Sequence, residues 1–151
     1  MLKKQKTVRN KSKKTKKPTL KSLIKKLDAI FSKYIRIRDS SWGYITCISC
    51  WVKIPWKSAH NCHWIGRANY KYRRNEDNCA AWCSSCNVYR KEMHQRIFTL
   101  KQVEKLWFEK TKDYESEKRT INKLKVNELE EIIKYWQERL KDIAKERGVL
   151  L

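Results

Sequence analysis

Two Cys-x-x-Cys pairs, Cys47-Ile-Ser-Cys50 and Cys83-Ser-Ser-Cys86, constrain this chain more than any other feature. A tight turn lets one such pair present two thiolates to a single metal ion. Two pairs complete a closed tetrahedral set of the structural zinc type. The residues between the pairs, 51–82, exceed the separation of a plain zinc ribbon, so the insert must form structure of its own. All six cysteines lie between positions 47 and 86. In a reducing compartment that clustering points to metal rather than disulfides. The remaining two, Cys62 and Cys79, are expected as buried thiols, with Cys79 a spare ligand.

Charge narrows the partner. Lys and Arg number 37 against 16 Asp and Glu, a formal net charge of +21 on 151 residues. Such a field suits a phosphate backbone, and it makes binding strongly salt-dependent. No apolar run approaches a membrane span, and there is no signal-peptide core. The chain is therefore read as soluble and intracellular, in the cytoplasm of a host cell, with no membrane partner.

Residues 1–17 carry nine Lys or Arg and no acid, and read as a disordered basic tail. Residues 18–43 form an N-terminal helical segment. Pro18 and Thr19 mark the helix start, and Leu20, Leu23, Ile24, Leu27, Ile30, Phe31, Tyr34 and Ile35 recur at helical spacing as far as about Arg38. Asp39 to Gly43 reads as a turn. Residues 44–59 are rich in β-branched and aromatic types and predict two short strands around the first Cys pair. Residues 66–77 read as a loop. A helix is expected from near Cys83 to about Ile97, and a second from Thr99, whose side chain would cap it with Gln102 completing a capping box. Residues 115–124 read as a charged linker. Asn127 is expected to cap a last amphipathic helix that Gly148 stops.

The insert carries His60-Asn61-Cys62-His63-Trp64-Ile65-Gly66-Arg67, then Asn78, and Asn87 follows the last cysteine directly. A metal-assisted nuclease needs a neutral imidazole to take a proton from water and a residue to orient it. It also needs oxygen or nitrogen ligands for a divalent ion beside the scissile phosphate. The order Cys-x-x-Cys, His, Asn, Cys-x-x-Cys-Asn resembles the zinc-containing HNH nucleases. Within them the chain resembles the NinG/Rap family of phage recombination nucleases. Phe31 to Asp39, Cys47-x-x-Cys50, His63-Trp64-Ile65-x-Arg67, Asn78, Cys83-x-x-Cys86-Asn87 and the helix from Leu129 to Ile143 carry that likeness. The arrangement is also similar to recombination endonuclease VII.

The resemblance implies an α+β fold: a small ββα-metal (HNH) core with a four-cysteine zinc site over residues 44–98, flanked by the N-terminal helix and a C-terminal helical region, 99–151. It implies cleavage of DNA phosphodiester bonds, with branched or Holliday-junction DNA as substrate. His63 would be the general base and Asn78 a brace for its loop. Asn87, with His60, would hold Mg²⁺ or Mn²⁺ in addition to the structural Zn²⁺. Arg67, Arg73 and Arg74 would contact phosphates. His60 stands where such proteins commonly carry Asp, and Cys62 where endonuclease VII has a metal-binding Asp, so Asp77 or Glu92 is a candidate to supply the missing carboxylate. Two other readings stay open: a zinc-containing DNA-binding module without cleavage, and an RNA-binding structural protein. Enzymes that cut both strands usually act as dimers, and the last apolar helix is a candidate interface.

Overall fold

The computed structural model describes residues 17–89, 91–106, 108–116 and 124–151. The basic tail before Lys17 lies outside the described residues, as do Trp107 and most of the charged linker. Helix α1, Leu20–Arg38, begins as its sequence dictates: the Thr19 side chain accepts the Ser22 N–H at 3.2 Å. Its stripe of Leu23, Leu27, Phe31, Tyr34 and Ile35 is buried. Most of that stripe meets α4, Val126–Glu146, which buries Leu129, Ile133, Trp136, Leu140 and Ile143. Phe31 and Tyr34 pack edge-on to Trp136, with ring centroids 4.7 and 5.0 Å away. Each such side chain contributes about 1.5–3 kcal/mol through burial. The apolar face of α4, expected as a dimer surface, is thus covered by α1 of the same chain.

Two small antiparallel sheets follow α1 in the chain, the second packing against it. Strands β1 (Ser40–Ser41), β2 (Tyr44–Thr46) and β3 (Lys53–Pro55) form the first. The segment expected as a simple turn, Asp39–Gly43, includes β1. Ser41 pairs with Tyr44, and the two-residue loop between them holds Trp42 and Gly43 at φ 54° and 79°. Strands β4 (His60–His63) and β5 (Cys79–Trp82) form the second sheet, with His60 opposite Trp82 and His63 opposite Cys79. A π-turn, Ser85–Tyr89, leads from β5 toward α2 (Lys91–Leu106), and α3 (Phe108–Ser116) follows. The chain is a mixed α+β fold.

Three expectations are corrected. Thr99 caps no helix: α2 runs through it, and its hydroxyl donates to Gln95 O while accepting the Trp64 indole N–H at 3.2 Å. Gln102 donates instead to the Asp77 carbonyl. The last helix is capped two residues before Asn127, where the Lys125 N–H donates to Glu128 Oε2 at 2.6 Å. Its end does follow the glycine, with Gly148 at φ 59° and Val149 N–H bonded to Ala144 O. Finally, Tyr34, Glu76 and Arg139 tie α1, the β4–β5 connection and α4 together. Tyr34 donates to Glu76 at 2.7 Å and accepts from Arg139 at 2.7 Å. Burial and the Glu76 carboxylate push the Tyr34 phenol up to about 12.

Candidate functional site

The first Cys pair sits on the β2–β3 turn. There Cys47 N–H donates to Val52 O and Trp51 N–H to Cys47 O, both at 2.9 Å. The second pair sits where β5 gives way to the π-turn, with Cys86 N–H donating to Cys83 Sγ. The four sulfurs lie within 4.8 Å of one another, and Cys50 and Cys83 are 3.7 Å apart. A Zn–S bond of about 2.3 Å puts tetrahedral sulfurs about 3.8 Å apart. The four cysteines can therefore hold a structural metal such as zinc. Burial pushes the Cys47 thiol up, but hydrogen bonds from the backbone of Cys83, Cys50 and Ser49 outweigh it and bring the thiol down to about 7. Cys62 and Cys79 are buried within β4 and β5 and stand outside this group.

Strand β4 carries the histidines, and alternation separates them. Asn61 and His63 face a cleft of about 510 Å³ bounded by α1, whereas His60 faces the start of the helical segment. His63 Nε2 lies 3.0 Å from the Arg73 carbonyl oxygen. A carbonyl only accepts, so Nε2 carries the hydrogen and Nδ1 keeps its lone pair. Burial lowers the His63 pKa below the ordinary 6.5, against the smaller opposite pull of that carbonyl. The ring is therefore neutral at pH 7.

Asn78 holds the connection between β4 and β5. It is fully buried, at 0% exposure. Its Oδ1 accepts Ile65 N–H at 2.7 Å, and its Nδ2 donates to Ile65 O and Tyr72 O at 3.0 and 2.9 Å. Its own carbonyl accepts Trp64 N–H. One side chain thus fixes both ends of the segment that brings the Arg73 carbonyl to His63.

His60 and Asn87 meet across the hairpin–helix junction, with His60 Nδ1 3.3 Å from Asn87 Nδ2. The Asn87 amide N–H faces the His60 Nδ1 lone pair, and both residues reach solvent. Asp77 is engaged elsewhere, in ion pairs with Lys105 at 3.1 Å and Lys110 at 3.4 Å. The side chains of Glu92 and His94 lie outside the described residues. Among the described residues, the four cysteines are the one group of three or more His, Cys, Asp or Glu able to share a metal ion.

The three arginines expected on phosphate converge on Asp28 of α1. Arg73 Nη2 lies 2.5 Å, Arg74 Nη2 2.7 Å and Arg67 Nη2 3.4 Å from its carboxylate. Burial raises the Asp28 pKa, but the Arg73 hydrogen bond and the charges of Arg74, Arg73 and Arg67 outweigh it, so the carboxyl sits below its usual range. Arg74 is only 7% exposed, so it serves as an internal counter-ion and no longer as a candidate phosphate contact. Arg67 is 60% exposed and lines the cleft with Lys21, Lys25, Arg73 and His63. Asp28 was missed in sequence. The available signal was its being the lone acid in α1, a helix otherwise rich in Lys and Arg.

No helix among the described residues is long and apolar enough to cross a membrane. No curated protein and no solved structure matches the chain. The family model described as NinG, Bacteriophage Lambda NinG protein, matches residues 2–146, nearly the whole length.

Proposed function

The chain belongs to the NinG family, and on that premise we propose that it is an HNH-type endonuclease cutting phosphodiester bonds in branched or recombining DNA. The observation that carries this reading is the state of His63: a half-buried neutral imidazole with Nε2–H held by the Arg73 carbonyl and Nδ1 left to accept a proton. It stands at the end of a β–β–helix unit, beside a cleft lined by Lys21, Lys25, Arg67 and Arg73.

In this mechanism a phosphate group lies in the cleft against Arg67 and Arg73. His63 Nδ1 takes a proton from water. The water oxygen bonds to phosphorus, the P–O ester bond on the far side breaks, and the departing oxygen is protonated from solvent. A positioned general base of this kind accelerates a reaction by about 10²- to 10⁴-fold. Asn78 keeps the imidazole oriented by fixing the loop that supplies the Arg73 carbonyl. His60 and Asn87 lie on the other face of β4 from His63; a divalent ion held there would supply positive charge for gripping the nucleic-acid backbone and would not share the cleft with the scissile phosphate. An imidazole nitrogen of His60 and Oδ1 of Asn87 would leave an open site that water and phosphate oxygens complete, and they suit Mn²⁺ better than the harder Mg²⁺.

The absence of a carboxylate beside His60 and Asn87, among the described side chains, favours a second reading: a DNA-binding module on the same scaffold. Incubating the zinc-loaded protein with a labelled four-way junction and with linear duplex of the same sequence, in Mg²⁺ and in Mn²⁺, separates the two. Cuts in the junction, faster in Mn²⁺, are expected. Tight binding with no cut strand in either metal would establish the binding module.

A further inference from the structure

Four of the six described tryptophans, Trp56, Trp64, Trp82 and Trp136, are buried. The other two, Trp42 and Trp51, are 94% and 69% exposed. They are also the non-glycine residues found with left-handed backbone, at φ 54° and 61°. In both places the local geometry calls for a different residue. The 42–43 loop has positive φ at both positions, the type I′ hairpin turn that favours Asn-Gly. Trp51 follows the second cysteine of a knuckle, where a left-handed turn favours glycine. A bulky aromatic at positive φ is an outlier, and such strain collects where a side chain is needed at the surface.

Trp42 lies in the turn before β2 and Trp51 in the turn after it, at opposite ends of a strand about 10 Å long. Between them the sheet exposes Tyr44, Thr46 and Lys53, while Ile45 points into the core. Cations sit over these rings: Lys53 Nζ is 5.8 Å from the Tyr44 centroid, and Lys101 Nζ is 6.0 Å from that of Trp51. Exposed aromatics interleaved with lysines on a chain of net charge +21 fit the flat, sequence-tolerant recognition of unpaired bases, with the ammonium groups on the phosphates. They fit a duplex poorly, because its bases are already stacked.

We infer that the outer face of the β1–β2–β3 sheet, through Trp42, Tyr44 and Trp51, binds a single-stranded stretch of nucleic acid by base stacking. This rests on the nucleic-acid reading above but not on cleavage.

The test is fluorescence anisotropy of a dye-labelled oligothymidylate and of a labelled blunt duplex, at fixed salt and without divalent metal. The zinc-loaded full chain is compared with Trp42→Asn, Trp51→Gly and Trp51→Phe. The first two substitutions match the left-handed backbone, so the variants are expected to keep zinc and to melt no lower than the parent. Trp42→Asn and Trp51→Gly should each weaken oligothymidylate binding by about tenfold or more, with Trp51→Phe intermediate and duplex binding within about twofold. Unchanged oligothymidylate affinity in folded variants would overturn the inference and leave the face to a protein partner. An equal loss on duplex would also overturn it. If the parent bound neither probe, the nucleic-acid reading would fall with it.

Discussion

Donor atoms gather at two places in this molecule, and the two differ in how completely they are enclosed. Cys47, Cys50, Cys83 and Cys86 bring four sulfurs within 4.8 Å, three of the four residues buried. His60 and Asn87 bring one imidazole and one amide together at 3.3 Å in reach of solvent. A closed set of four soft ligands leaves no position for substrate, so a metal held there would serve to hold the fold. An open imidazole–amide pair does little for stability and stays within reach of solvent. The same junction between β5 and the helical segment supplies half of each.

Breaking the closed set should have the largest effect. An apparent binding free energy of about 10 kcal/mol or more for a structural zinc rivals the whole stability of a small domain. Cys83→Ala is therefore expected to lose the bound zinc and the cooperative unfolding transition, as read by metal analysis and circular dichroism. His60→Ala should leave both intact. Equal damage from the two variants would erase the distinction.

The Asn78→Ala variant comes next. It removes three buried hydrogen bonds and leaves Ile65 N–H, Ile65 O and Tyr72 O without that partner. The expected loss is about 2–4 kcal/mol in urea titration. A loss below about 1 kcal/mol would mean that the segment is held by other contacts.

Asp28→Asn should cost less, about 1–3 kcal/mol, between the costs for exposed and fully buried pairs, since Arg73 and Arg74 lose their counter-charge. The pH dependence fixes the sign. The folded pKa lies below the unfolded one, so the stabilisation is full above pH about 4 and is lost as pH falls through the folded pKa. In the variant that part of the acid sensitivity should vanish. DNA affinity should rise as Arg67 and Arg73 are released, which filter binding can measure.

The smallest expected change sharpens the open pair. His60→Asp adds a hard anionic ligand beside Asn87 and should tighten Mg²⁺ binding about tenfold in calorimetric titration, with zinc content constant. Unchanged Mg²⁺ affinity would mean that the pair is not an ion site.

How much of this was legible depended on how local the cause was. The Cys pairs, the α1 stripe and the Thr19 cap are set by residues three or four apart, and the structure places them accordingly. Strand β5 was hidden because Cys79-Ala-Ala-Trp82 has little strand propensity of its own, and its pairing with β4 makes it a strand. Thr99 reads as a cap locally, but the Trp64 indole claims its hydroxyl from 35 residues away. Asp28 looked like one polar position on a core helix, because its arginine partners come from the far connection between β4 and β5. The order of His63, Asn78 and Asn87 was visible, whereas the separation of His60 from His63 by strand alternation required knowing that residues 60–63 are extended.

The central claim is that His63 Nδ1 accepts the proton from the attacking water. The most direct test is the single-turnover rate of junction cleavage in Mn²⁺ as a function of pH, for the parent and for His63→Ala at matched zinc content. The account predicts a rate about 10²- to 10⁴-fold lower in the variant. In the parent it predicts an acid limb below pH 6.5, because burial lowers the imidazole pKa and keeps the base unprotonated further into acid. Equal rates in the two proteins, or a parental rate with no acid limb, would contradict it.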